Sequence, residues 1–115
     1  MADQAKDYLD TDDGLARLRG NKALYKQMLG LFLGSKEFQA FEDAMASNDN
    51  QMAEAKMHGI KGLTGNLSMP ALFNIASTLD AQLKVGNANP TTLAEYEEAY
   101  EKTKKFASEY IASAN

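Results

Sequence analysis

The residues of this chain that could do chemistry cluster just after its single histidine, His58. Three glycines follow it, at Gly59, Gly62 and Gly65. Each glycine costs on the order of 1 kcal/mol relative to alanine inside a helix. Three glycines in so short a stretch therefore indicate either a special use or a segment that is not helical.

If the segment is helical, two of the glycines lie on the same face as His58. At about 100° per residue, Gly65 falls at roughly −20° from His58, Gly62 at roughly +40° and Lys61 at roughly −60°. The apolar residues of the segment lie on the opposite side, at roughly 140–200° from the histidine; they are Ile60, Leu63 and Leu67. We therefore expect the helix to bury its apolar side and to turn His58 to solvent, with open space beside the ring and Lys61 one turn away.

An exposed imidazole with space around it and a cation nearby suits phosphoryl transfer. Imidazole titrates near neutrality, so much of it is the neutral nucleophile at cellular pH. Attack on phosphorus is in line, and Lys61 can compensate part of the charge on the equatorial oxygens. The sequence contains no Gly-x-x-x-x-Gly-Lys loop and no Asp-Phe-Gly motif. It therefore predicts a phosphoryl carrier without the means to take the group from ATP.

Less specific interpretations of the same residues stay open. A lone histidine is more often structural or merely solvated than reactive, and Lys61 and Glu54 can be ordinary surface charges. Gly62 and Gly65 can instead allow two helices to pack closely. A metal-binding or hydrolytic bundle has little support, because one histidine cannot form a histidine pair and no Glu-x-x-His motif points inward.

Helical periodicity dominates the chain, and strand signals are weak. Asn21 can cap a helix that begins at about residue 22. A bend, or a division into two shorter helices, is possible near Gly34. We expect this stretch to bury the face formed by Leu24, Met28, Leu31, Phe38, Phe41 and Met45.

Three further helices are predicted from their boundary signals. The signals are a capping box at Asn48 and Gln51, a first-turn proline at Pro70, a helix-terminating glycine at Gly86, and the pair Asn89-Pro90. Short connections make successive helices antiparallel neighbours. We therefore predict an all-α protein, an antiparallel four-helix bundle with a short N-terminal helical cap within residues 8–19.

Composition limits the class of protein. Of the 115 residues, 44% are hydrophobic and 24% charged, which predicts one globular domain over residues 1–115 with a bundle core at about 21–113. The net charge of −4 argues against nucleic acid and anionic membranes as partners. The absence of cysteine excludes disulfides and thiolate metal sites. The acidic N-terminus (Asp3, Asp7, Asp10) does not resemble a signal peptide, and no apolar run reaches membrane-spanning length, so we expect a cytoplasmic protein.

The run Met57-His58-Gly59-Ile60-Lys61-Gly62-Leu63-Thr64-Gly65-Asn66-Leu67 resembles the signature of histidine-containing phosphotransfer (HPt) domains. That pattern has a histidine, a basic residue three positions on, a glycine four positions on, and then small and apolar residues for two turns. The matching positions are His58, Lys61, Gly62, Gly65, Asn66 and Leu67. Residues 14–18 and 21–32 also resemble the N-terminal part of the family, so the similarity covers most of the chain. The chain departs from the family at Ser68, where a glycine is frequent, and in the Met69-Pro70 that follows.

The resemblance implies a four-helix bundle that relays phosphoryl groups between receiver domains in multistep two-component signalling. His58 would carry the group on a ring nitrogen, Lys61 would assist with charge, and Gly62 and Gly65 would leave room for the partner. The implied partners are response-regulator receiver domains and a hybrid sensor kinase. We expect a monomer with no cofactor or metal of its own, since the Mg²⁺ would belong to the receiver. The alternative is a receiver-binding adaptor or decoy with the same bundle, in which His58 is not phosphorylated.

Overall fold

The chain folds into helices joined by short connections. The structure, a computed structural model, describes residues 5–113. Residues 1–4, with Asp3 of the acidic N-terminus, and residues 114–115 lie outside the described residues. The helices are α1 (Ala5–Tyr8), α2 (Thr11–Arg17), α3 (Lys22–Leu33), α4 (Glu37–Ala46), α5 (Asn50–Asn66), α6 (Pro70–Lys84) and α7 (Pro90–Ala112). The predicted all-α class is confirmed.

Three of the four helix starts that the sequence predicts are observed. The side chain of Asn21 accepts a hydrogen bond from the N–H of Leu24, and Pro70 occupies the first turn of α6. The predicted capping box at Asn48 is wrong by one residue. Asp49 is the cap, because its side chain accepts from the N–H of Met52, whereas Asn48 lies in the left-handed region at a φ of 56°.

The predicted buried face of the first long stretch is correct for α4 and only partly correct for α3, where Met28 packs partly buried against the core. Phe38 and Phe41 are buried, but Leu24 and Leu31 are 38% and 68% exposed. The core residues of α3 are instead Tyr25, Leu29 and Phe32. The chain ends α3 at Leu33 and restarts at Glu37. Because the break resets the helical phase, a single stripe does not continue through both helices.

Helices α5 and α6 run antiparallel along one side of the core. The side-chain amide of Asn50 donates to the carbonyl oxygen of Leu83 at one end, and Gly65 faces the ring of Phe73 at the other. Residue numbers therefore rise along α5 as they fall along α6. Helix α4 also packs on α5, and α7 packs on both α3 and α6.

The N-terminal helices are attached to the turn that follows α5. The N–H of Asp10 donates to the carbonyl oxygen of Ser68 at 2.8 Å, and the hydroxyl of Ser68 donates to Asp13 Oδ2 at 2.6 Å. Gly14 lies against the ring of Tyr25 in α3. This arrangement fixes the end of α5 from outside the bundle. Within residues 5–113, no helix combines the length and the apolar character needed to cross a bilayer.

Candidate functional site

His58 lies in the middle of α5 with its ring on the solvent side. The side chain is 67% exposed. On the other side of the helix Ile60 and Leu67 are buried, and Leu63 is partly buried against the core. The helical segment with an outward histidine and an inward apolar side is therefore as the sequence predicts.

The other predicted site residues differ from one another in their surroundings. Lys61 is half-buried and forms no ion pair with any residue that the structure describes. A Cβ placed on Gly62 would meet nothing within 4 Å, so the space there is open. A Cβ placed on Gly65 would lie 3.0 Å from Cδ1 of Phe73. The packing interpretation is thus supported for Gly65, while Gly62 leaves the surface of α5 accessible.

A buried aspartate of α6 stands beside His58, and it was absent from the residues predicted from sequence. Asp80 Oδ2 lies 3.4 Å from Nδ1 of His58, and the Asp80 side chain is only 1% exposed. Nζ of Lys84, one turn further along α6, lies 3.3 Å from the same oxygen. The sequence did contain a signal for Asp80: it interrupts the buried stripe of α6 between Ala76 and Leu83.

Glu54, one turn before His58 on α5, completes this group of ionisable side chains. One ligand atom from each of Glu54, His58 and Asp80 lies within 4.8 Å of the other two. The sequence allows Glu54 to be an ordinary surface charge. The structure shows that it approaches the Asp80 carboxylate as well as the ring.

The two carboxylates influence each other in opposite directions. A hydrogen bond shared with Asp80 raises the pKa of Glu54, and partial burial adds to the rise. Burial alone would raise the pKa of Asp80, but hydrogen bonds from Glu54, His58 and Lys84 outweigh it and hold this pKa below its ordinary value. Asp80 is therefore the carboxylate that keeps its negative charge, and Glu54 is the one that takes up a proton more readily.

This arrangement makes the two ring nitrogens of His58 different. Nδ1 faces the anionic Asp80, so in the neutral ring the proton belongs on Nδ1. The lone pair is then on Nε2. A neutral imidazole held in this way is an oriented nucleophile at an exposed position.

Ser68, where the chain departs from the HPt pattern, occupies a strained turn position directly after α5. Its φ is 60°, in the left-handed region that favours glycine. The serine hydroxyl donates to Asp13, and its carbonyl accepts from Asp10. The serine hydroxyl thus makes a contact with α2 that a glycine at this position would lack.

Comparison with known proteins adds no relative. No protein-family model, curated protein or solved structure matches the chain.

Proposed function

We propose that this protein is a histidine phosphotransfer protein of a multistep two-component phosphorelay, carrying a phosphoryl group on His58 between receiver-domain aspartates. The observation that carries the proposal is an exposed imidazole whose Nδ1 edge faces a buried carboxylate. An antiparallel four-helix bundle would serve as the rigid scaffold. The resemblance of the segment from Met57 to Leu67 to the HPt signature supports the same function.

The transfer step uses the neutral ring. Nε2 of His58 attacks the phosphorus of an aspartyl phosphate on a receiver domain, in line with the bond that breaks. A P–N bond forms as the P–O bond to the receiver carboxylate breaks, and the bonding pair leaves with that carboxylate. The phosphorylated ring then bears positive charge at Nδ1–H. Reversal of the same step on a second receiver passes the phosphoryl group on.

Asp80 acts in this step as a positioning residue. Its anionic carboxylate holds the proton on Nδ1 and stabilises the positive ring that forms. The separation of 3.4 Å is long for a hydrogen bond in the resting protein. Such contacts are often long in a free protein and shorten in the reacting complex.

Lys61 and Gly62 act on the incoming phosphoryl group. Lys61 lies one helical turn beyond His58 and has no competing ion pair among residues 5–113, so its ammonium can approach the phosphoryl oxygens. The open surface at Gly62 admits the receiver. Gly65 belongs to the same proposed contact area, in addition to accommodating Phe73.

The carrier needs no kinase activity and no cofactor of its own under this proposal. The Mg²⁺ required for aspartyl phosphate chemistry belongs to the receiver. The proposed partners are receiver domains and a hybrid sensor kinase, which the protein meets as a cytoplasmic monomer. Contacts of this kind are small and transient, which allows fast release.

The decisive experiment is transfer of labelled phosphate from a receiver domain that is phosphorylated on its aspartate. Wild type is compared with His58→Gln. The control is Glu95→Gln, which removes one charge at an exposed position on α7. We expect acid-labile, base-stable label on wild type and on Glu95→Gln, and none on His58→Gln. Receiver binding without label on wild type would establish the adaptor instead. Label on His58→Gln would place the acceptor at another residue.

A further inference from the structure

The three side chains around His58 supply a nitrogen and two carboxylates to one small volume. Glu54 and His58 are four residues apart on α5, so they share a helix face. Asp80 reaches the same place from α6, and one ligand atom from each residue lies within 4.8 Å of the others. Two rigid, packed helices thus bring together a donor set that phosphoryl transfer alone does not require.

We propose that Glu54, His58 and Asp80 form a binding site for Zn²⁺, in which the metal occupies Nδ1 of the imidazole. The distance between Nδ1 and Asp80 Oδ2 is 3.4 Å. Two ligands of a tetrahedral zinc ion, each at about 2.0–2.1 Å from the metal, lie about 3.4 Å from each other. The observed separation is long for the hydrogen bond of the metal-free protein, and it equals one edge of a zinc tetrahedron.

Asp80 provides an independent indication of a cation. Its Oδ1 is buried and has no hydrogen-bond partner among the described residues. A buried carboxylate with one unpartnered oxygen is incompletely compensated, and a cation bound at its other oxygen, Oδ2, would offset its negative charge. Because the residue is 1% exposed and packed within α6, the ligand is also held in place before the metal arrives.

The donor set selects zinc over the hard divalent cations. One imidazole and two carboxylates leave one position of a tetrahedron for water, as in zinc sites with three protein ligands. Mg²⁺ prefers six oxygen ligands in octahedral geometry and rarely takes a histidine. The proposed site is therefore distinct in chemistry from the Mg²⁺ site of a receiver domain.

Lys84 opposes metal binding. Its ammonium lies 3.3 Å from Asp80 Oδ2, where it would repel a divalent cation. The Lys84 side chain is 56% exposed on a flexible stem, so it can turn away into solvent. Removing its charge should therefore strengthen zinc binding, which is an effect opposite in sign to the removal of a ligand.

Zinc at this site would switch off the carrier, a consequence that rests on the proposed function. A neutral imidazole with a metal on Nδ1 has its proton on Nε2. Nε2 then has no lone pair to attack phosphorus. The metal-free protein would accept phosphate, and the zinc-bound protein would not.

Calorimetric titration of the full chain with ZnCl₂ tests the site without any phosphate donor. We expect one zinc per chain for wild type and for the control Glu95→Gln. Affinity should fall roughly 10–100-fold or more in Glu54→Gln and in His58→Gln, and it should rise in Lys84→Met. Zinc binding that is equally tight in wild type and His58→Gln, or a binding that is weakened by Lys84→Met, overturns the site.

A second experiment separates the zinc switch from the proposed function. Uptake of label from the phosphorylated receiver is measured with and without zinc for wild type and for Glu54→Gln. For each protein the uptake with zinc is divided by the uptake without zinc. This ratio should fall for wild type and stay near one for Glu54→Gln, which controls for any effect of zinc on the receiver and does not depend on the basal rate of the variant. Equal inhibition of both variants overturns the switch. Absence of uptake without zinc contradicts the proposed function, while the titration still decides the metal site.

Discussion

At the scale of single residues, the pairing of His58 with Asp80 needs a physical reason. A carboxylate that is 1% exposed loses most of its hydration, and such a group is retained only where partners compensate it. Two of its hydrogen-bonding partners, His58 and Lys84, are themselves largely exposed. A buried charge that is stabilised by exposed, titratable partners is typical of functional sites, where the buried group controls the protonation of those partners.

Asp80→Asn tests the positioning role. The amide can present either its oxygen or its NH₂ to the ring and has no charge, so the Nδ1–H form of His58 is no longer enforced. We expect phosphate uptake to slow by about tenfold or more. We also expect the ring nitrogens to shift away from the Nδ1–H tautomer in ¹⁵N NMR spectra at a pH where the ring is neutral.

The NMR measurement distinguishes positioning from a purely structural effect of Asp80→Asn. Glu95→Gln on α7 provides the charge-matched control and should leave both uptake and tautomer unchanged. A folded Asp80→Asn protein that keeps the Nδ1–H tautomer and the wild-type rate would show that Asp80 does not position the ring.

Sequence reasoning found one half of this pair and missed the other. The exposure of His58 follows from helical periodicity, because the apolar positions of α5 lie opposite to it. Asp80 is 22 residues away in sequence, and its contact with His58 depends on the packing of α6 against α5. Periodicity assigns a face to each residue, but it does not give the register between two helices.

At the scale of elements, α5 uses its glycines in two different ways. Gly62 is open on the surface, whereas Gly65 has the ring of Phe73 over it. The conformational cost of glycine in a helix is the same at both positions. Only at Gly65 does close packing between helices offset it, so the glycine at position 62 calls for another explanation, which we propose is access for the receiver.

Alanine substitutions at the two positions should separate these uses. Gly62→Ala is expected to raise the free energy of unfolding by about 0.5–1 kcal/mol, since a helical glycine is replaced and no neighbour is displaced. Gly65→Ala should raise the free energy of unfolding by less, or lower it, because its Cβ would lie 3.0 Å from the Phe73 ring. Urea denaturation of both variants measures the difference.

Phosphate transfer provides the functional half of this comparison. Gly62→Ala should accept phosphate from a receiver more slowly than wild type in spite of its higher stability. A stabilised Gly62→Ala that transfers at the wild-type rate would mean that the receiver does not approach the helix at this position.

The elements show where sequence patterns were sufficient and where they were not. Asn21 and Pro70 mark helix starts through their own local chemistry, and both are observed. The predicted face of α3 was wrong at Leu24 and Leu31 because these two residues and the core residues of α3 have similar apolar character. The choice between the two faces is made by tertiary contacts, such as the hydrogen bond from the Tyr25 hydroxyl to the carbonyl oxygen of Leu67.

At the scale of the whole molecule, the N-terminal helices connect distant parts of the chain. Tyr25 of α3 bonds to the end of α5, and Gly14 of α2 lies on the same tyrosine ring. A Cβ on Gly14 would lie 2.4 Å from Cζ of Tyr25, which is closer than atoms can pack. The close approach of α2 to the bundle therefore requires glycine at this position.

Gly14→Ala should destabilise the whole domain. We expect a loss of about 1–3 kcal/mol in the free energy of unfolding, because the ring or the helix must move. The matched control is Gly30→Ala on the exposed side of α3, where a Cβ meets nothing within 4 Å and stability should rise. Denaturation of the two variants with urea checks the opposite signs, and a stabilised Gly14→Ala would show that α2 does not hold this position in solution.

The contact between Asp13 and Ser68 should make the stability of the molecule depend on pH. The hydrogen bond from the Ser68 hydroxyl, followed by the one from Arg17, lowers the pKa of Asp13 below its ordinary value. A carboxyl group whose pKa is lower in the folded state stabilises the fold above its unfolded pKa of about 3.9, and this stabilisation is lost as the pH falls through the folded value. Asp13→Asn should therefore unfold at a lower temperature than wild type at pH 7, and the gap should narrow toward pH 3.

The control is Asp12→Asn, which removes an equal charge from the same first turn of α2. Its unfolding temperature should stay closer to that of wild type at every pH. A gap between Asp13→Asn and wild type that is the same at pH 7 and pH 3 would mean that ionised Asp13 does not help to hold the N-terminal helices on the bundle.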